Sequence, residues 1–421
     1  MPRRALFICC LTFALVVLAP VRACLGFSVL AHQAVVDRCW EDSIVPALRQ
    51  RFPAASEQEL EEAHAFAYGG SHIADLGYFP FGSHLFSDLV HYVRSGHFVT
   101  TLLDDASTLD ELAFALGAAS HYVADTIGHP EATNRVVPEI YPDLRAQHGD
   151  SVTYADDHAA HIETEFRFDV LQLTRNHQSP DLFKHAIAFA VPEPLLDRAF
   201  RETYGLGLDD LFASTEIAIT TYRWGFREML QEATGIAWEL YQADIQALDP
   251  TATPQQFVGS MSRTDFEKEF GNSYREAGYF AKVFSWMVKA VPSVGPLAQL
   301  PYKALPPEAR EQFSAAFEHA VAEYRTVVAR SRENRLHLDD RNLDTGKPTR
   351  KGEYQPADQA YTELVEKLDA HDYAEASNEV RSEIVRFYSD PSAAPVVDED
   401  ADAALTEKRA LARLGSSPTL N

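Results

Sequence analysis

Three residues in the run from His121 to His129 have the types and the spacing of metal ligands. The run reads HYVADTIGH, so His121, Asp125 and His129 follow one another at i, i+4 positions. In a helix, residues four apart lie one turn apart on the same face. Each imidazole can bind one metal ion, and a carboxylate between two imidazoles can bridge two ions. The motif therefore predicts a site for a cluster of zinc ions.

Histidines are concentrated around this motif, since eleven of the 16 lie between His32 and His161. A second i, i+4 pair of ligand candidates is His161 with Glu165. Asp75 and His84 flank the aromatic segment LGYFPFGS, and His32 is a further candidate. A single histidine is more often a hydrogen-bonded structural residue than a ligand. As a set, nitrogen and oxygen ligands without cysteine favour zinc over an iron–sulfur or copper(I) site.

Helices must supply the faces that carry these side chains. The motif lies among many alanines and is followed by Pro130, which is typical of a helix that ends there. Helical patterns cover about residues 29–52, 57–68, 84–95, 109–129, 158–173, 209–247, 264–288, 307–336, 355–368 and 374–388. Glycine and proline cluster in breaks at residues 68–83, 291–307 and 338–355. We predict an all-α, multi-helix single domain over residues 24–388, with its metal site within residues 24–170.

The two ends of the chain have different compositions from this domain. Residues 1–23 have the basic start, the short apolar core and the small Ala23 of a cleaved signal peptide, which predicts a secreted or periplasmic protein. Lipid attachment at Cys24 is the less favoured alternative, because Arg22 fits a lipobox poorly. Residues 389–421 are acidic and rich in alanine and proline, which predicts a disordered tail.

The net charge restricts the partners. At −25, the chain repels nucleic-acid backbones and anionic membranes, and it has no basic stripe for duplex binding. Neutral or zwitterionic partners are easier to accommodate. A monomer that reaches lipid by peripheral membrane contact is compatible with this charge.

Over about residues 24–170 the sequence resembles the zinc-dependent phospholipase C family. That family includes the bacterial phosphatidylcholine-preferring enzymes and the N-terminal catalytic domain of GPI-specific phospholipase D, and it is distantly related to the fungal single-strand zinc nucleases. The spacing His-x3-Asp-x3-His and the run HYVRSGHF are most similar to the phospholipase D domain. The bacterial phospholipases and the nucleases usually have five residues between that aspartate and the second histidine. The spacing therefore favours the D-type branch.

The resemblance implies a phosphodiester hydrolase with about three zinc ions per chain. Its pattern assigns Asp75, His84, His121 and Asp125 to the first ion; Asp125, His32 and the mature N-terminus at Cys24 to the second; and His129, His161 and Glu165 to the third. Three alternatives stay open for Cys24: a zinc ligand, a disulfide with Cys39, or a lipidated residue. The other nearby histidines are predicted to be structural: His72, His91, His97 and His148.

The resemblance also implies roles in the reaction. Asp75 is the candidate to orient or deprotonate the attacking water, or it is a ligand only. Tyr78, Phe79 and Phe81 are candidates for binding a choline head group, with plain packing of an apolar loop as the alternative. The predicted activity is that of a phospholipase C or D on a phospholipid. Two alternatives are a single-strand-specific zinc nuclease and a catalytically inactive zinc-binding exoprotein.

Overall fold

The computed structural model describes residues 29–175, 189–248, 250, 253, 305–333, 335–390, 408–409 and 411–414. Throughout these ranges the regular structure is helical, and the strand-like pairing found there is one isolated bridge between Arg341 and Pro348. The α-helices in chain order are α1 (Val29–Cys39), α2 (Val45–Arg51), α3 (Glu57–Ile73), α4 (His84–Tyr92), α5 (Ser95–Asp105), α6 (Leu109–Gly128), α7 (Asn134–Ile140), α8 (Pro142–His148), α9 (His158–Arg175), α10 (Glu193–Tyr204), α11 (Thr215–Leu248), α12 (Pro307–Arg332), α13 (Gln355–Ala370) and α14 (Asn378–Ser389). The predicted all-α fold is confirmed.

Short irregular turns join several of these helices. π-helical turns cover Trp40–Ile44 and His129–Thr133, and 3-10 turns cover Ala74–Tyr78 and Leu208–Asp210. The turn after α6 begins at His129 and contains Pro130, which has no backbone N–H to continue the α-helical hydrogen bonds. No helix in the described ranges combines the length and apolar character that a bilayer-spanning segment needs.

Helices α3 and α6 cross closely at the centre of the fold. Both begin with a capping box, at Ser56 and Thr108 respectively. At the crossing, a Cβ on Gly70 would lie 1.9 Å from the Phe114 carbonyl oxygen, and one on Gly117 would lie 1.9 Å from the Ala67 carbonyl oxygen. Only glycine allows the two backbones to approach so closely. The crossing therefore sets the position of the C-terminal end of α3 relative to the metal-ligand motif on α6.

Several predicted boundaries differ from the structure. The break expected at residues 68–83 starts later, because α3 continues through its glycines to Ile73 and a 3-10 turn follows it. The helix expected at residues 29–52 is divided by a π-helical turn. Helices α5, α7, α8 and α10 were not predicted. The proposed signal peptide, Cys24, the helix expected at residues 264–288 and most of the expected tail lie outside the described residues.

The C-terminal part of the chain packs around the N-terminal helices. In α12, the Tyr324 hydroxyl donates a hydrogen bond to the Leu116 carbonyl of α6 at 2.8 Å. The buried Cys39 thiol contacts the Val321 carbonyl at 3.8 Å, and its pairing with Cys24 stays a prediction. Residues 335–354 contain no helix, which matches the predicted break. Within them, residues 338–349, which we call the strap, lie against α4, α5 and α6.

One contact of the strap predicts a pH-dependent stability. His97 Nδ1 lies 2.7 Å from an Asp340 carboxylate oxygen. This hydrogen bond raises the pKa of His97 above its usual 6.5; burial and Arg94 oppose the rise, and Glu379 adds to it. Stabilisation by protonated His97 is therefore complete below about pH 6.5 and is lost as the pH rises through the raised pKa of the folded state. We expect chelator-treated wild-type protein to exceed Asp340→Asn in melting temperature by more at about pH 5.5 than at about pH 8.5.

The comparison isolates the pair, because every other titrating group is shared by the two proteins. An equal difference in melting temperature at both pH values would show that the ionised pair does not contribute to stability.

Candidate metal centre

Helix α6 carries the central ligand candidates, and its neighbours bring the others to it. His121 and Asp125 lie on its last two turns, and His129 begins the turn that follows. Four further side chains reach the same buried region: His32 from α1, Asp75 from the 3-10 turn after α3, and His161 with Glu165 from α9. Seven of the nine predicted ligand residues are therefore gathered around one end of α6; His84 is not among them, and Cys24 lies outside the described residues.

The Asp125 carboxylate lies at the middle of this cluster. Its Oδ1 lies 3.2 Å from His32 Nε2 and 3.3 Å from His129 Nε2. Its Oδ2 lies 3.0 Å from His121 Nε2 and 3.6 Å from His91 Nε2. One carboxylate thus faces four imidazoles, as a bridging ligand between metal ions would.

Within the described part of the chain, the cluster divides into three groups whose ligand atoms lie within 4.8 Å of one another. The groups are His32, His121 and Asp125; Asp75, His91 and His121; and His129, His161 and Glu165. In the second group His91 Nε2 lies 3.6 Å from Asp75 Oδ1 and 3.3 Å from His121 Nε2. In the third, His161 Nε2 lies 2.8 Å from Glu165 Oε1.

These separations fit zinc. Zinc bonds of about 2.0–2.1 Å in a tetrahedron place neighbouring ligand atoms roughly 3.3 Å apart. The neighbouring atoms quoted above lie 2.8 to 3.6 Å apart. Moreover, Asp75 is buried with neither carboxylate oxygen hydrogen-bonded to a described residue, and the same is true of His129 Nε2. Buried polar atoms rarely lack partners, so the donor set and its geometry both suit metal ions.

The electrostatics of the cluster also favour a bound cation. Burial raises the pKa of Asp125, but His121, His129 and His32 outweigh it and hold that pKa well below its usual range. Burial lowers the pKa of His121, but the Asp125 carboxylate reverses this and raises it to about 9. Burial, followed by the charges of Asp125 and Asp344, raises the pKa of Glu165 well above normal. A metal ion there would stabilise the ionised form.

Backbone carbonyls orient two of the imidazoles. His121 Nδ1 donates to the Ser71 carbonyl at 2.9 Å, and His91 Nδ1 donates to the Ser87 carbonyl at 2.8 Å. A carbonyl oxygen can only accept, so Nδ1 of each ring carries a proton and Nε2 faces the cluster. The Ser71 contact depends on the close crossing of α3 and α6.

The structure places His91, and not the predicted His84, beside Asp75 and His121. His84 is the exposed first residue of α4, whereas His91 lies in the last turn, 3 % exposed. The reason lies in Ser87, whose hydroxyl accepts from the Gly77 N–H at 2.9 Å and donates to the Ala74 carbonyl. This docks the middle of α4 on the 3-10 turn, so the residue one turn after Ser87 arrives beside Asp75. His91 was expected to be structural, and the structure places it in the cluster with Asp75 and His121.

The predicted aromatic residues are separated by the structure. Tyr78 is buried, with its ring 5.8 Å from the His91 ring and its hydroxyl donating to Asp88 at 3.2 Å. Phe79 packs on Tyr222 at a ring separation of 4.1 Å and belongs to the main core. Phe81 is 47 % exposed and has a positive φ of 65°. Of the three, Tyr78 directly adjoins the candidate metal centre.

Two carboxylates near the cluster were missed by the sequence analysis. Burial raises the pKa of Asp88 to about 7, although His91 and Tyr78 oppose the rise. Asp344, from the strap, has its Oδ1 3.6 Å from His129 Nδ1. The sequence carries no local signal for Asp344, because its position depends on how a non-helical segment folds back. His161, and not its rival His158, lies in the cluster; His158 is exposed, and its ring packs at a tilt against Tyr154.

An all-α fold that gathers buried histidines and carboxylates into adjoining groups is typical of the class of metal-binding helical proteins. Comparison with known families is more specific: the model of the family described as zinc dependent phospholipase C matches residues 31–213. Residues 31–213 are thus similar to a family of zinc-dependent hydrolases. No curated protein matches the chain, and no solved structure matches it. The matched residues include all the members of the three groups, but not the strap.

Proposed function

We propose that this protein is an exported phosphodiester hydrolase that holds three zinc ions and cleaves phospholipids as a phospholipase C or D. The observation that carries the proposal is Asp125, whose two oxygens face four histidines in adjoining groups of zinc-like spacing. The family of residues 31–213 supports zinc as the metal. Export is supported by the pattern of residues 1–23.

The proposed ligands divide among the three groups already described. Asp75, His91 and His121 would hold one ion, His32 with Asp125 another, and His129, His161 and Glu165 the third, with Asp125 shared. The mature N-terminus at Cys24 is a further proposed ligand for the His32 ion. Bound zinc lowers the pKa of coordinated water towards about 7 and stabilises charge on phosphoryl oxygens.

Asp75 is the proposed residue that orients or deprotonates the attacking water. Its carboxylate is buried, and neither oxygen is hydrogen-bonded to a described residue. An acceptor held in this state can take a proton from a nearby water without first giving up another contact. It lies 3.6 Å from His91, so the same carboxylate can also bind metal.

Tyr78 is the proposed contact for a zwitterionic head group. Its ring adjoins His91, so an ammonium group against the face of this ring would lie beside the second metal group. The exposed Phe81 is proposed to contact lipid when the monomeric protein docks peripherally on a membrane. The net charge of −25 supports a zwitterionic rather than an anionic surface as the partner.

The proposal is tested by measuring cleavage of several substrates with the metal present, removed and returned. The leader-free protein is assayed on phosphatidylcholine vesicles, on a GPI-type lipid and on single-stranded DNA, before and after chelation and after return of zinc or of magnesium. We expect lipid cleavage that chelation abolishes and that zinc, but not magnesium, restores, because magnesium binds imidazole poorly. Released phosphocholine would indicate C-type cleavage, and released choline would indicate D-type cleavage.

The other outcomes would contradict the proposal. Cleavage of DNA alone would make the protein a zinc nuclease. Full zinc content without cleavage of any substrate would make it an inactive zinc-binding exoprotein.

A further inference from the structure

The strap makes main-chain contacts with the helices that carry metal-ligand candidates. It comes from beyond residue 213, outside the part of the chain that the family model matches. Each contact joins a strap backbone group to a group of α4, α5 or α6: Leu343 N–H to the His91 carbonyl at 3.0 Å, the Tyr122 hydroxyl to the Asp339 carbonyl at 2.7 Å, and the Ser95 hydroxyl to the Arg341 carbonyl at 2.6 Å. The strap is thus tied to the backbone of His91 itself.

A glycine turn brings the strap onto the ligand motif. Gly346 has a positive φ of 67°, and a Cβ there would lie 2.6 Å from the Thr126 carbonyl oxygen. Thr126 follows Asp125 and precedes His129 by three residues. The turn therefore touches the backbone of α6 between two ligand candidates.

This turn buries the carboxylate of Asp344 beside the cluster. Asp344 is 3 % exposed, and its carbonyl accepts a hydrogen bond from Asn134 Nδ2 at 2.7 Å. Its Oδ2 accepts from the Tyr92 hydroxyl at 3.1 Å and also from the Tyr354 hydroxyl. The other oxygen, Oδ1, faces His129 Nδ1 at 3.6 Å. The two tyrosines thus orient the carboxylate with one oxygen directed at a ligand candidate.

The two nitrogens of His129 face different neighbours. Nε2 lies 3.3 Å from Asp125 Oδ1 and 3.8 Å from Glu165 Oε1, on the side of the metal groups. Nδ1 lies 3.1 Å from His161 Nε2 and 3.6 Å from Asp344 Oδ1. Because His161 Nε2 faces Glu165 in the third metal group, the Asp344 carboxylate is the acceptor that remains for a proton on Nδ1 once a metal ion is bound. Metal-ligating histidines usually donate their second ring N–H to a carboxylate or carbonyl, which orients the ring and increases its basicity. His91 and His121 use carbonyls for this purpose.

We propose that Asp344 is a positioning residue of the metal centre, holding the His129 ring through Nδ1 so that Nε2 is presented to a zinc ion. The C-terminal part of the chain then completes the centre that the matched family region builds. This inference rests on the proposed zinc centre.

A purely structural role for Asp344 makes a different prediction for one substitution. In Asp344→Asn the amide oxygen can still accept from both tyrosine hydroxyls, so the packing of the strap is retained. The amide NH2, however, would face His129 Nδ1 and oppose its N–H. A positioning role therefore predicts loss of zinc from this variant, whereas a structural role predicts no loss.

The test measures zinc retained by full-length, leader-free protein during titration with a competing chelator, by atomic emission. We expect Asp344→Asn to lose one zinc ion at a chelator concentration about 10–100-fold lower than wild type. Tyr354→Phe removes one of the two tyrosine hydroxyls on Asp344 Oδ2 but keeps the carboxylate and Tyr92, so its chelator concentration for zinc loss is expected to fall by no more than a few-fold. Asp340→Asn, a matched carboxylate-to-amide change in the same strap, is expected to retain zinc although its melting temperature falls.

The contradicting results are distinct. Wild-type retention by folded Asp344→Asn, or equal zinc loss from Tyr354→Phe, would overturn the role of Asp344 while leaving the zinc centre in place. Wild-type protein without zinc would overturn the proposed function and this inference with it. If Asp344→Asn does not fold, the imidazole ¹⁵N spectrum of the zinc-loaded wild type decides: we expect the His129 proton on Nδ1, and a proton on Nε2 would overturn the proposal.

Discussion

Replacing Asp125 with asparagine is expected to lower kcat/KM for lipid cleavage by about 1,000-fold or more. Removing one member of a buried charged network costs about 3–5 kcal/mol, which corresponds to roughly 10²- to 10⁴-fold. The oxygens of this carboxylate face histidines of all three metal groups. An amide keeps the shape of the side chain but provides a single, neutral acceptor. Zinc content should therefore fall together with activity.

The matched control for this substitution is Asp110→Asn. Asp110 lies in the first turn of the same helix, α6, at the end opposite the metal groups. Its replacement is expected to change stability by a few tenths of a kcal/mol through the helix dipole and to leave zinc content and activity as in wild type. Full zinc content and activity in Asp125→Asn would contradict the bridging role.

His91→Asn is expected to lower activity by at least about 100-fold, whereas His84→Asn lowers it by no more than a few-fold. His91 lies within 3.6 Å of both Asp75 and Asp125, and its Nδ1 is already held by a carbonyl. Its loss removes a nitrogen ligand that no neighbour can replace, and even outer-shell partners of such ligands are worth about 10–100-fold. His84 is exposed at the start of the same helix.

His84→Asn is the matched control for His91→Asn, because the same substitution is made in the same helix, α4. The measurement is zinc content by atomic emission alongside initial rates on phosphatidylcholine. A large loss in His84→Asn with a small one in His91→Asn would return the assignment to His84.

Local spacing accounts for the part of the cluster that could be predicted from the sequence. His121 and Asp125, like His161 and Glu165, are separated by one helical turn, so their proximity follows from helix geometry alone. The all-α class was likewise predictable, because the apolar periodicity is helical nearly throughout the described ranges. These features need no knowledge of how the helices pack.

The remaining members of the cluster are determined by tertiary packing and could not be predicted from local sequence patterns. His84 and His91 lie seven residues apart on one helix, so both present the same face. The docking of Ser87 on the 3-10 turn selects the second of them, and no local pattern encodes that contact. Asp344 was unpredictable for the same reason, since a strap more than 200 residues after α6 brings it to His129.

Two glycines of α3 also show that local sequence preference can predict the wrong structure. Gly69 and Gly70 were interpreted as part of a break, yet α3 runs through both. Their weak helical propensity is outweighed because the missing side chains allow close contacts, of Gly70 with the Phe114 carbonyl of α6 and of Gly69 with the Ala190 carbonyl. Propensity thus predicted the wrong local structure at a position where close packing required glycine.

The most direct test of the metal centre is anomalous diffraction from crystals of protein never exposed to chelator, with data collected on both sides of the zinc absorption edge. We predict zinc peaks at the three groups, with Asp125 in contact with more than one, and with His91 rather than His84 beside Asp75. An absence of zinc peaks among these side chains, in crystals that otherwise show them ordered, would contradict the account.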